Sequence, residues 1–224
     1  MVYSNDNGQN WVQIYQDMYG SKCMTFYNNY WFVGGSKGVV RSSNNGQSWE
    51  EINTGIENVK VESIAVDSDS GYIFLGTWGK GIYRSTNNGN TWEWNSLENA
   101  YPFPLFSTKN GNVYAARGDL FRSEDHGKSW QKLNILPDTL KSPLTSMSTF
   151  QNIFIRAIAA GSKEYILVGT DKNGLFLSTN YGNDWHYLGL KGITIFSLAV
   201  DKDEYVFAGS DSLRVLKSNE SINF

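Results

Sequence analysis

At 224 residues the chain is long enough for one all-β domain with a sizeable core. Its formal charge of −3, with Lys and Arg dispersed, offers no basic stripe, which argues against nucleic acid or an anionic membrane surface as partner. The 12 Phe, 13 Tyr and 8 Trp, the 22 Gly and the lack of helix-favouring runs read as many short strands joined by turns. A single cysteine, Cys23, allows no intrachain disulfide and reads as a small buried apolar residue. Two histidines, His126 and His186, support neither a metal cluster nor a Ser-His-Asp triad, so no cofactor and no metal is expected. No apolar run approaches the roughly 20 residues of a membrane span, and the polar stretch Met1 to Asn7 is no signal peptide.

In chain order the first element is a turn over residues 4–11 carrying Ser4, Asp6, Gly8 and Trp11, followed by a strand from Trp11 to Tyr15. Strands over Trp31–Gly34 and Gly38–Arg41 lead into a second copy of the turn, 42–49, with Ser42, Asn44, Gly46 and Trp49. The next unit is complete. It has strands over Ser63–Val66, Tyr72–Gly76 and Gly81–Arg84, a third turn over 85–92 with Ser85, Asn87, Gly89 and Trp92, and an outermost strand over Trp92–Asn95. Strands over Asn112–Ala116 and Asp119–Arg122 precede the fourth turn, 123–130, with Ser123, Asp125, Gly127 and Trp130. After an insertion over 133–154, strands over Tyr165–Gly169 and Gly174–Leu177 precede the fifth, 178–185, with Ser178, Asn180, Gly182 and Trp185. Strands over Tyr205–Gly209 and Leu213–Leu216 end on a decayed copy, 218–224.

Five copies of Ser-x-Asp/Asn-x-Gly-x-(Ser/Thr/Asn/Asp)-Trp, at Trp-to-Trp intervals of 38, 43, 38 and 55 residues, resemble the Asp-box or BNR repeat. That repeat occurs in exported bacterial BNR proteins and, more distantly, in sortilin-type receptors, xyloglucanases and sialidases. The resemblance implies an all-β fold, a β-propeller of four-stranded antiparallel blades in a single domain over 1–224. Joining the terminal strands closes five blades, the leading expectation; the alternative is a fragment of a larger propeller, since the sequence starts on a box. In the box, Asp or Asn should bond backbone NH groups two residues on and tolerate left-handed geometry, Gly should supply a positive φ, and Trp should bury its ring between sheets.

Boxes join third to fourth strands, so the loops joining second to third strands lie at the opposite end, where the resemblance puts the binding site. Those loops hold Ser36, Lys37, Trp78, Lys80, Arg117, Asp119, Asp171, Lys172 and Asp211. Trp78 is suited to stacking on a sugar or anchoring a partner. Asp119, Asp171 and Asp211 would be the carboxylates if the chain were a xyloglucanase-like hydrolase. Arg41, Arg84 and Arg122 recur just before a box, at the blade periphery, and cannot converge on a sialic-acid carboxylate; no Arg-Ile-Pro segment is present either. Asp67-x-Asp69-x-Gly71 lacks the acidic residue that would complete a calcium loop and reads as a hairpin turn. The expectation is a monomeric, non-catalytic module that binds a glycan or protein ligand outside the cytoplasm, without membrane insertion.

Overall fold

The computed structural model describes residues 2–4, 6–13, 20–98, 100–135, 153–162, 165–212 and 214–222, with backbone alone at Tyr3 and Arg117. Most of the predicted insertion, part of the first box and the end of the decayed one therefore lie outside the described residues. All regular structure among the described residues is strand, and no helix there is long and apolar enough to cross a membrane.

The chain divides into two compact units, Met1–Ser107 and Thr108–Phe224. In the first, β1 (Val2–Tyr3) pairs with β2 (Val12–Gln13) across the first box. One antiparallel sheet follows in the order β3 (Ser21–Tyr27), β4 (Tyr30–Gly35), β5 (Gly38–Ser42), β6 (Glu50–Glu51). The next runs β7 (Val61–Asp67), β8 (Tyr72–Thr77), β9 (Ile82–Ser85), β10 (Glu93–Ser96), and β11 (Leu105–Ser107) lies against β7. In the second unit, β12 (Val113–Arg117), β13 (Asp119–Ser123) and β14 (Gln131–Leu133) are neighbours. A four-stranded sheet of β15 (Ile155–Ala160), β16 (Ile166–Thr170), β17 (Leu175–Ser178) and β18 (His186–Gly189) follows. The last sheet has three strands among the described residues, β19 (Ile195–Val200), β20 (Val206–Ser210) and β21 (Val215–Lys217). These successive antiparallel sheets are the blades of a five-bladed, all-β propeller, the class the repeat predicts.

Alternation along the second and third strands builds the cores. In the first unit Phe32 and Val39 of one sheet pack with Ile73 and Leu75 of the next, around Ile52, Ile56 and Trp92. In the second, Leu167, Leu175 and Leu177 meet Val206. Each such side chain contributes about 1.5–3 kcal/mol on burial. Small residues end the second strands because the next sheet's first strand seats an apolar residue there. A Cβ on Gly34 would come within 2.6 Å of Val61, and one on Gly169 within 2.6 Å of Ile195. Cys23 is half-buried against the first core, and desolvation pushes its thiol up to about 12.

The boxes are built alike but not quite as expected. The Asp or Asn side chain accepts from the NH four residues on, not two: Asn10 to Asp6 at 2.9 Å, Thr91 to Asn87 at 3.0 Å, Ser129 to Asp125 at 2.8 Å. The Ser hydroxyl takes the Gly NH, as in Gly89 to Ser85 at 2.8 Å and Gly182 to Ser178 at 2.7 Å. Left-handed backbone falls on the residue after the Asp or Asn, Asn7, Asn45, Asn88, His126 and Tyr181, with φ of 56–60°, and on the Gly that follows. Two successive positive φ values curl the chain so that the later NH groups point back at the Ser and Asp oxygens. His126 is thus a turn residue.

Box carboxylates and amides use opposite polarity for one purpose. Asp125 Oδ2 accepts from the Ser129 hydroxyl at 2.6 Å, whereas Asn87 Nδ2 donates to Thr91 Oγ1 at 2.9 Å. The Asn10 backbone NH, then Ser4 and the Asn10 side chain, bring the Asp6 carboxyl down to about 2. For Asp125, burial pushes upward but the hydrogen bonds from Ser129 and Ser123 prevail, again to about 2. Folded values below the unfolded 3.8 mean that this stability is present above pH 3.8 and lost as pH falls through about 2. The double variant Asp6→Asn, Asp125→Asn is expected to match the parent at neutral pH and to show a shallower loss of stability between pH 4 and 2 in acid titration by circular dichroism.

Arg41 and Arg122, each next to a box at the end of a third strand, are buried. Arg41 Nη1 donates at 2.5 Å to the carbonyl of Asn88, and Arg122 Nη1 at 2.6 Å to that of Tyr181. Both acceptors are the left-handed residue of the next sheet's box. The box tryptophans divide: Trp92 and Trp185 are buried, while Trp11 is 62 % exposed, contrary to the expectation that every box ring is covered. Trp92 sends its Nε1 across to the Ile52 carbonyl at 2.7 Å, whereas Trp11, Trp49 and Trp185 donate to their own box Gly at 3.0–3.1 Å. Asp67 caps its own turn, accepting from Asp69 NH at 3.1 Å and Ser70 Oγ at 2.6 Å, as a hairpin reading requires.

Candidate functional site

At the end away from the boxes, three second-to-third-strand loops share one construction. The last residue of the second strand folds its NH and hydroxyl onto a carbonyl four residues on: Thr77 onto Gly81, Thr170 onto Gly174 and Ser210 onto Arg214. The next NH reaches the residue before the first strand, Trp78 to Lys60 at 2.9 Å, Asp171 to Phe154 at 2.8 Å and Asp211 to Thr194 at 3.2 Å. Trp78, Asp171 and Asp211 are therefore structural equivalents, although the sequence gives them unrelated side chains.

Trp78 is 50 % exposed, with Tyr101 set edge-on at 5.2 Å and Phe103 stacked at 6.2 Å between ring centroids. Both partners come from the connection between β10 and β11, and Tyr101 is itself 38 % exposed. The indole is thus braced by two rings and still open to solvent. Lys80 is exposed in the same loop.

In the second unit, Asp171 Oδ2 pairs with Arg156 Nη2 at 2.7 Å and its Oδ1 accepts from Thr194 Oγ1 at 2.9 Å. The Arg156 guanidinium lies 4.7 Å from the Phe154 ring centroid. Asp211 Oδ1 accepts from Thr194 NH at 3.3 Å and from Ser212 Oγ at 3.1 Å. One buried threonine thus joins two loop aspartates. The hydrogen bond from Arg156 holds the Asp171 carboxyl below the usual range, against a smaller desolvation. At Asp211 desolvation is outweighed by the bonds from Ser212 and Thr194, and the shift is again downward. Lys172 is exposed in left-handed backbone, its carbonyl accepting from Gly192 at 2.8 Å.

The remaining predicted residues are not drawn into this cluster. Asp119 begins β13, as the strand frame expects, and the single residue Gly118, at φ 80°, separates it from Arg117 at the end of β12. Its carboxylate pairs with Lys132 of β14 at 2.8 Å. The side chain of Arg117 lies outside the described residues. Ser36 and Lys37 form the two-residue turn between β4 and β5, where the Lys37 carbonyl accepts from Asn53 Nδ2 at 3.2 Å. Sequence reasoning missed Tyr101, Phe103 and Arg156 as parts of the loop end. A glycosidase acid needs a raised carboxyl pKa; Asp171 and Asp211 shift the other way. Among the described residues no group of three or more His, Cys, Asp and Glu could hold a metal ion.

No protein-family profile matches the chain, and no curated protein does. Solved structures do. The chain is similar to YCF48 from Cyanidioschyzon merolae, at 15 % identity and TM-score 0.69 over 95 % of this chain and 71 % of that one. It is similar to the extracellular domain of the putative one component system BT4673 from B. thetaiotaomicron, at 17 % and 0.71, over 93 % of this chain and 28 % of that one. It is also similar to the GH74 xyloglucanase from Xanthomonas campestris, at 18 % and 0.64, over 85 % and 34 %. These β-propellers share the fold with this chain, although one is the extracellular domain of a putative one component system and another a xyloglucanase.

Proposed function

We propose that the chain is a non-catalytic ligand-binding propeller of the Asp-box type, acting as a monomer, whose glycan ligand docks at the loop end away from the boxes. The observation that carries this reading is Trp78, an indole braced by Tyr101 and Phe103 yet half open to solvent. A rigid aromatic face of this kind offers a large contact area at little entropic cost. The ionised state of Asp171 and Asp211 supports binding over hydrolysis, since neither is tuned as an acid at neutral pH. An extracytoplasmic location is supported by the likeness to BNR proteins and to the BT4673 extracellular domain.

A glycan array with parallel measurement of reducing-end release tests the proposal. Trp78→Ala is expected to weaken binding about tenfold or more, the loss of a buried aromatic anchor, with the melting temperature unchanged and no sugar released. Hydrolysis that disappears in Asp171→Ala would contradict the reading and favour a xyloglucanase-like enzyme.

A further inference from the structure

Four first strands slip register at the same place: between Ser21 and Cys23, Val61 and Ser63, Ile155 and Ala157, and Ile195 and Ser197. The residues in the slips are Lys22, Glu62, Arg156 and Phe196, one per sheet, at the loop end. A bulge leaves its residue out of the ladder and re-aims the side chain, and bulges gather beside functional sites. The residue before the slip is fully buried in three of the four, at Val61, Ile155 and Ile195. The fold thus dictates the neighbour and leaves the bulge residue free to vary: a cation, an anion, a cation and an aromatic ring.

In the first unit the two bulge side chains approach each other, Lys22 Nζ lying 3.9 Å from Glu62 Oε2. In the second they do not cancel. Arg156 is held in place by Asp171 and by the Phe154 ring, while its Nε and Nη1 meet no acceptor among the described residues. Lys172 stands exposed beside Asp171. Phe196, on the adjacent first strand β19, is 55 % exposed. The second unit therefore presents a pre-oriented guanidinium with spare donors, paired on one side with Asp171, an ammonium on the β16–β17 loop, and an open aromatic ring on the neighbouring first strand.

Resting on the binding reading above, we infer that in the second unit the bulge residues Arg156 and Phe196 read a uronic acid residue of an acidic polysaccharide. A uronic acid carries its carboxylate directly on a ring with an apolar face. Arg156 and Lys172 take the carboxylate, for which guanidinium geometry is suited, and Phe196 covers the face of the ring.

The test is isothermal titration of the full chain with tri-galacturonate, with its methyl ester and with a neutral galactan trisaccharide, alongside reducing-end release. The parent is expected to bind the acid at least tenfold more tightly than the ester. Arg156→Gln should abolish that preference, Arg156→Lys should keep part of it, and Phe196→Ala should weaken acid and ester alike. All three variants should melt with the parent, because both side chains are exposed. Equal affinity for acid and ester, an unchanged preference in Arg156→Gln, or no binding of any saccharide would overturn the inference. So would a peptide with a free C-terminal carboxylate that displaces tri-galacturonate. Tight binding of the neutral trisaccharide alone would end the uronate assignment and leave the binding function standing, whereas sugar release would end the binding function itself.

Discussion

Trp92→Ala is expected to destabilise the protein by about 3–5 kcal/mol, the usual cost of truncating a buried aromatic. The ring is 3 % exposed, sits among Phe32, Ile52 and Leu75, and satisfies the Ile52 carbonyl of the preceding sheet through its Nε1. Truncation opens a cavity and strands that carbonyl. Trp11→Ala removes an equivalent side chain that is 62 % exposed and, among the described residues, bonds only its own box, and it should cost less than about 1 kcal/mol. For a chain of this length the larger figure corresponds to a fall of roughly 10 °C in melting temperature. Equal melting temperatures for the two variants would mean that the box tryptophan does not tie one sheet to the next.

Arg122→Leu is expected to cost about 2–3 kcal/mol, on the scale of a buried hydrogen bond from a charged group. Leucine retains most of the packing, and Leu177 occupies the corresponding place in the following sheet, so the frame tolerates an apolar residue there. What the variant loses is the 2.6 Å bond to the Tyr181 carbonyl and the 2.9 Å pair with Glu124. The Tyr114 hydroxyl, at 3.2 Å, remains as a weaker donor to the same carbonyl and keeps the cost from rising further. Tyr114→Phe in the Arg122→Leu background should therefore cost more than Tyr114→Phe alone, and chemical denaturation of the four proteins measures that coupling. Additive effects would mean that the two donors do not share one acceptor.

Much of the fold was readable because each box needs Ser, Asp or Asn, Gly and Trp at fixed offsets, and hydrogen bonding leaves little room for other residues there. The loop end was read only in part. Trp78, Asp171 and Asp211 fall at one repeat position and were found from the strand frame. Asp119 opens the third strand where the strand frame put it, but its grouping with the loop residues did not anticipate that Gly118 alone makes the β12–β13 turn. Tyr101 and Phe103 lie in a connection without repeat character, so nothing local marked them as partners of Trp78. The bulge residues did leave a trace: aligned as Val61-Glu-Ser, Ile155-Arg-Ala and Ile195-Phe-Ser, the strands show one unconstrained column between an apolar and a small residue. Periodicity hides that column, because a register slip moves it to the other face.

The division of labour between the two ends is tested most directly by thermal unfolding of the parent, Trp92→Ala and Trp78→Ala, each with and without saturating glycan ligand. A ligand that binds only the folded state raises the melting temperature. Trp92→Ala should melt roughly 10 °C lower and keep the ligand-induced rise, while Trp78→Ala should melt with the parent in the absence of ligand and show a clearly smaller rise. A Trp78→Ala protein that keeps the full rise, or a Trp92→Ala protein of parental stability, would contradict the assignment of structure to the boxes and recognition to the opposite loops.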